Sequence, residues 1–168
     1  MPESITTTFK RWGFNWFPAY RGTGARITYI AADWREVRIR LPLSWRTRNY
    51  VGTIYGGSMY AAVDPIYMLM LIKILGPEYI VWDKAASIRF KRPGKTALHA
   101  AFLIPDDEVR AIRAALVGSP SVERVYHVDL ADKDGVVHAS IEKTLYIRTR
   151  ANGEHGSRDM GSKEASLS

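Results

Sequence analysis

Asp64 is the residue in this chain whose placement most asks for a chemical reason. It lies in the apolar stretch 58–75, where Lys73 is the other charged side chain. A carboxylate buried in such surroundings is costly unless it is paired, hydrogen-bonded or protonated. Pro65 follows directly, and a proline there removes a backbone hydrogen bond and bends a helix. Upstream stands the pair Gly56-Gly57. Glycines at a helix start leave backbone N–H groups open to a ligand, with the helix dipole behind them. The same pair also suits a plain tight turn with close packing. Asp64 has a structural alternative too, as the N-cap of a half-helix beginning after Pro65. A transmembrane span is disfavoured, because the run is short of about 20 residues and Asp-Pro interrupts it.

These residues need a scaffold, and the stretch 49–76 supplies its centre: a turn, then a helix with no obvious solvent face, as expected of a core helix. Around it the chain reads mostly as strands. Segment 35–41 puts Val37, Ile39 and Leu41 on one side and Glu36, Arg38 and Arg40 on the other, a half-buried antiparallel strand. Further strands are expected at 27–31, 79–92, 97–104, 122–130 and 136–148, the last two joined by Asp132-Lys133-Asp134-Gly135, a hairpin signal. Residues 5–16 place Ile5, Phe9, Trp12 and Trp16 at helical spacing, predicting a short amphipathic helix packed by that stripe against the body. Residues 18–24 read as a loop. Pro105 and three acids open a second surface helix, with Val109, Ile112 and Leu116 as its apolar stripe and Gly118 and Pro120 at its end. An antiparallel sheet wrapped around one long helix, an α+β fold, buries all of this most economically. Residues 1–148 then form a single domain, 1–25 being the N-terminal helix and loop and 26–148 the core. Residues 149–168 have almost no large apolar side chain and read as a disordered tail.

Bulk properties remove whole classes of function. With 168 residues, 46% hydrophobic and 24% charged, the chain has the composition of one folded domain. It has no cysteine, which excludes disulfides and thiol catalysis and fits a reducing compartment. The first residues lack the apolar core of a secretory signal, so a cytoplasmic location is expected. The net charge of +7 suits nucleic acid, an acidic membrane surface or a small polyanion. No Lys/Arg block or nucleic-acid motif accompanies it, so no nucleic-acid partner is expected. His99, His127 and His138 lie on strands without metal spacing and are expected to be structural or surface residues; no metal and no cofactor are expected.

The element order, together with Asn49, Gly52, Tyr55-Gly56-Gly57 and Asp64, resembles the hotdog-fold acyl-CoA thioesterases. More narrowly it resembles the phenylacetate-pathway-like branch, and within it an uncharacterised subfamily described as tetrameric acyl-CoA thioesterases. Ser87-Ile88-Arg89-Phe90-Lys91-Arg92-Pro93-Gly94 is similar to that branch's strand ending in Phe-x-x-Pro and a small residue. Tyr55 stands where the branch has histidine; a phenol donates a hydrogen bond but is no base near neutral pH.

The resemblance implies hydrolysis of an acyl-CoA to free acid and coenzyme A, which enters as part of the substrate. Asp64 would be base or nucleophile, Gly57 N–H an oxyanion donor beside Gly56, and Asn49 the group orienting water or thioester. Arg89, Lys91 and Arg92 would meet phosphates of coenzyme A, although a solvated strand face explains them equally well. Asp83 falls where related enzymes carry Ser or Thr, and alternation places it with Ala85 and Ser87 on the pocket face. Beside Asp64 it would share a proton; a surface Asp83 paired with an arginine is the alternative. A homodimer or homotetramer with shared sites is implied. A non-catalytic acyl-CoA-binding or sensing protein on the same fold is the rival reading.

Overall fold

The axis of the molecule is a pair of helices, α3 (Gly56–Val63) and α4 (Ile66–Leu75), in a computed structural model that describes residues 1–150. The tail expected from 149 onward lies almost wholly outside the described residues. Asp64-Pro65 separates the two segments. Asp64 closes α3, its N–H bonding the Tyr60 carbonyl. Pro65 takes the N-cap position of α4, which has no side-chain cap bond. Asp64 is therefore not the N-cap of α4, and its carboxylate points elsewhere. Met59, Val63, Ile66, Tyr67, Met70 and Leu71 are all buried. Residues Gly56–Leu75 form the one helical stretch among the described residues long and apolar enough to cross a membrane. Here it is the core helix of a sheet-covered domain.

Six antiparallel strands cover it: β1 (Arg26–Ile30), β2 (Glu36–Leu41), β3 (Tyr79–Phe90), β4 (Leu98–Leu103), β5 (Ser121–Ala131) and β6 (Val137–Thr149). Their order is β1-β2-β4-β5-β6-β3. Val37, Ile39 and Leu41 face the helix, as their alternation predicts. The fold is the hotdog arrangement of sheet and central helix. Asp132 forms the β5–β6 hairpin turn, its Oδ1 accepting from the Asp134 and Val136 amides, and Gly135 takes the left-handed φ of +80° there. His138 is buried and ties this turn to the end of β3, its ring nitrogens 3.1 Å from Asp132 Oδ2 and 3.1 Å from the Pro93 carbonyl. On the same face of the sheet, α5 (Asp106–Gly118) packs Val109, Ile112 and Leu116 into the core that holds the central helix.

Two departures from the expectations concern the N-terminus. Residues 18–24 are not all loop: Pro18–Gly22 forms a short helix, α2, with proline at its start. Its Tyr20 is buried and donates to the Ala62 carbonyl, tying the N-terminus to the core helix. Helix α1 (Ile5–Trp16) has the expected limits, but its aromatic stripe faces outward. Ile5, Phe9, Trp12 and Trp16 are exposed, while Thr7 is buried and Phe14 packs edge-on against Trp34. The reason lies in the edge of β1. Asn15 bonds both the N–H and the carbonyl of Ile27, and Glu3 accepts from the Ile30 amide. Unpaired strand groups take the polar face of the helix, so the apolar face turns away.

That arrangement covers one sheet edge; among the described residues the other is bare. β3, 12 residues long, pairs β6 on one side and, among the described residues, has no strand on its other side.

Candidate active site

At the junction of α3 and α4 the Asp64 carboxylate leaves the helix and meets a lysine. Lys143 on β6 is completely buried, and its Nζ lies 2.6 Å from Asp64 Oδ1 and 3.0 Å from Asp83 Oδ1. The contact with Asp64 is a charge-assisted hydrogen bond. That with Asp83 is an ion pair without well-directed hydrogen-bond geometry. Tyr60, one turn before Asp64, donates its phenol to the same Asp64 oxygen at 2.7 Å. The Lys143 ammonium also lies 5.5 Å from the Tyr60 ring centroid. Asp64 is the outermost member of this cluster, its side chain 42% exposed against 24% for Asp83.

The charges shift one another. Burial pushes the Asp83 carboxyl above its usual value, partly offset by Lys143. Burial alone would lower the Lys143 ammonium, but its bonds to Asp64 and Asp83 outweigh this and hold it above the usual lysine value. The Tyr60 phenol is raised by burial and by its bond to Asp64. Lys143 thus carries the positive charge between two carboxylates, and a proton shared between Asp64 and Asp83 is not needed to bring them together. The Asp64 charge also adds to the upward push on Asp83, after burial and against Lys143.

Asp83 shares the inward face of Val81 by simple alternation, which breaks only after it. Asp83 pairs with Leu145 and Ala86 with Lys143, with a bulge between Asp83 and Ala85. The bulge inserts one residue and reverses the parity of everything after it. Ser87 opposes Glu142 and Arg89 opposes Ser140, and Ser87 and Arg89 line an outer-face groove with His127 and Asp129. Ser87 is therefore not on the Asp83 face, and neither it nor Arg89 joins Asp64 within one chain. Lys91 and Arg92 follow β3 as exposed residues, their amides bonded to the His138 carbonyl.

At the other end of α3 the helix start is open. Tyr55 is its N-cap residue and supplies no side-chain bond. The glycines let two exposed rings lie close to the helix start: a Cβ on Gly57 would lie 2.3 Å from the Tyr55 ring, and one on Gly56 would lie 2.8 Å from the Phe90 ring, so either ring would have to move. Tyr55 itself is exposed. Asn49 is bonded within its own loop. Its Nδ2 donates to Thr53 Oγ1 and its Oδ1 accepts from the Thr53 amide, both at 2.9 Å, so the side chain closes the loop before α3. Gly52 turns that loop at φ +83°. Asn49 thus shapes the approach to Gly56-Gly57.

Asp64 lies seven positions after Gly57, about 10 Å of helix rise. One chain therefore presents two half-sites, an amide cradle and a carboxylate cluster. Among the described residues no group of three His, Asp or Glu side chains could hold a metal ion.

A family model described as "Domain of unknown function (DUF4442)" matches residues 6–147. Among solved structures, the chain is similar to a protein of unknown function and probable thioesterase from Pseudomonas aeruginosa, at 20% identity and TM-score 0.76 over 89% of this chain and 99% of that one. A thioesterase from Haemophilus influenzae is similar at 15% identity and TM-score 0.66, over 91% and 97%. A protein of unknown function from Chlorobaculum tepidum matches at 11% identity and TM-score 0.69, over 87% and 95%. No curated protein matches the sequence. At these identities the likeness establishes the fold.

Proposed function

Because the chain belongs to the DUF4442 family, its activity has to come from the site, and we propose that it is a cytoplasmic, metal-independent thioesterase hydrolysing an acyl-CoA to free acid and coenzyme A. The observation that carries this is Asp64: a carboxylate in the middle of an apolar core helix, held by Lys143 and Tyr60 yet open to solvent on its outer side. Solved structures with this fold described as thioesterases support it. Asp64 removes a proton from water as it attacks the thioester carbon, or attacks that carbon itself to give an anhydride that water then opens. In either route the C–S bond breaks and the leaving thiolate takes up a proton. The Gly57 amide, with Gly56 beside it, receives the oxyanion, a contact typically worth about 3–4 kcal/mol. Lys91 and Arg92, which follow β3, are suited to coenzyme A phosphates.

The rise between Gly57 and Asp64 within one chain makes a shared site the economical arrangement. A dimer formed along the bare β3 edge would set one subunit's Gly57 against the other's Asp64. Such dimers would be the unit of a tetramer like those of the phenylacetate-pathway-like branch. A second reading, acyl-CoA binding without turnover, is favoured by one feature: Tyr55, which lies across the helix start, cannot replace an imidazole base. Free thiol released from a panel of acyl-CoA chain lengths separates the two. Release supports hydrolysis, whereas saturable binding without release supports the second reading.

A further inference from the structure

The apolar stripe of α1 takes no part in this chemistry and is left uncovered. Ile5, Phe9, Trp12 and Trp16 are 58–79% exposed, and Phe17 and Trp45 extend the patch. Single exposed apolar residues need no explanation, but a contiguous group marks a contact surface. Trp12, Trp16 and Trp45 share the wall of one open groove of about 580 Å³, and Arg21, Arg26 and Arg46 complete it. The Arg21 guanidinium lies 4.7 Å from the Trp16 ring centroid, and that of Arg46 lies 5.7 Å from the Trp45 centroid. Among the described residues none of these three arginines has a carboxylate partner. Arg11, in the same wall, is taken by Glu3.

Charge is concentrated at this end of the sequence. Residues 1–50 hold nine basic and three acidic side chains, a difference of six out of the net charge of +7. The three acids, Glu3, Asp33 and Glu36, are each paired with an arginine of the same region.

We propose that this face docks the protein on an anionic phospholipid surface. Tryptophan and phenylalanine settle at the headgroup level of a bilayer, and guanidinium groups beside them bind phosphates. A helix lying in that plane must present its apolar face to the lipid, and the bonds from Asn15 and Glu3 to β1 hold α1 in that orientation. A second copy of the chain fits the face poorly. A two-fold contact sets a patch against itself, bringing arginines that lack acids against one another. The docking is peripheral and independent of the thioesterase proposal.

The test is co-sedimentation of the full chain with phosphatidylcholine vesicles and with mixed phosphatidylcholine–phosphatidylglycerol vesicles, at low and high salt. Binding to the anionic vesicles should exceed binding to the zwitterionic ones and weaken with salt. Arg21→Gln, Arg26→Gln and Arg46→Gln together should weaken it by roughly 100-fold, about fivefold per arginine. Trp12→Ala with Trp16→Ala should abolish it, with the unfolding midpoint unchanged because both side chains are exposed. Absent binding, equal binding to both vesicle types, or insensitivity to these variants overturns the proposal. So does a change of oligomer mass in the tryptophan variant without vesicle binding, which would make the face a subunit contact.

Discussion

Replacing Lys143 with methionine keeps a side chain of similar length and removes the cation between Asp64 and Asp83. Breaking a buried pair from one side typically costs about 3–5 kcal/mol, because the other charge is left unpaired. The loss is divided unequally here. Asp64 is 42% exposed and turns to water, so its part stays near the level of an exposed pair, below about 1 kcal/mol. Asp83 Oδ1 is buried and carries most of the rest. A loss of about 3 kcal/mol is expected near neutral pH, a large part of the ~5–15 kcal/mol that holds a domain together. Burial already raises the Asp83 carboxyl above 3.8 with Lys143 present, and without the ammonium it rises further. A carboxyl whose folded value lies above its unfolded one destabilises the fold as pH climbs through 3.8 and beyond. The deficit of Lys143→Met should therefore be small near pH ~4 and full near pH ~7. Urea unfolding reads it directly: at about 1–3 kcal/mol per molar, the midpoint falls by roughly 1–3 M near neutrality. Asp83→Asn in the same background should restore most of the loss. An unchanged midpoint near pH ~7, or a deficit that grows toward acid, would refute the bridge.

Other expectations follow from the same geometry. Glu108 accepts from Arg124 Nε and the Tyr126 phenol, both at 2.8 Å, and the Arg124 bond holds its carboxyl below 4.5 despite burial. Its stabilisation is present above 4.5 and lost as pH falls through the lowered value; Glu108→Gln should cost about 1–2 kcal/mol near neutrality and flatten the acid limb of the stability curve. In the wild type, the raised Lys143 ammonium contributes stability that is fully present below 10.5 and lost as pH rises through its higher value, visible as an alkaline fall in the urea midpoint that is shallower in Lys143→Met, where the buried Tyr20 and Tyr67 phenols still contribute. Light scattering at micromolar concentration should give at least twice the 19.0 kDa chain mass; a monomer mass would rule out pairing along β3.

Periodicity made much of this fold legible. The limits of α1, the hairpin at Asp132 and the inward faces of β2 and α5 follow from local spacing, because local hydrogen bonding and burial agree there. Asp64 stood out for a related reason: a lone acid among apolar residues needs a partner. The partner itself was harder to see, since Lys143 lies 79 residues away in sequence. A signal existed, for Ile141, Lys143, Leu145 and Ile147 share one strand face and the lysine occupies a core position. With Lys143 present, removing the Asp64 carboxylate does not relieve a lone buried charge, but leaves Lys143 with Asp83 alone. The orientation of Ser87 was hidden by the bulge after Asp83, since nothing in Asp83-Lys84-Ala85 announces an extra residue. The outward turn of the α1 aromatics was hidden too, because the demand of the β1 edge for hydrogen bonds is a tertiary fact.

The central claim is that Asp64 performs the chemistry, and turnover of an acyl-CoA by Asp64→Asn against wild type tests it most directly. The amide keeps the size of the side chain and can still accept from Lys143 and Tyr60, so cooperative unfolding should persist. Thiol release should fall by about 10²–10⁴-fold, the usual worth of a positioned base, with substrate affinity little changed. A folded Asp64→Asn variant that releases thiol at the wild-type rate would contradict the assignment.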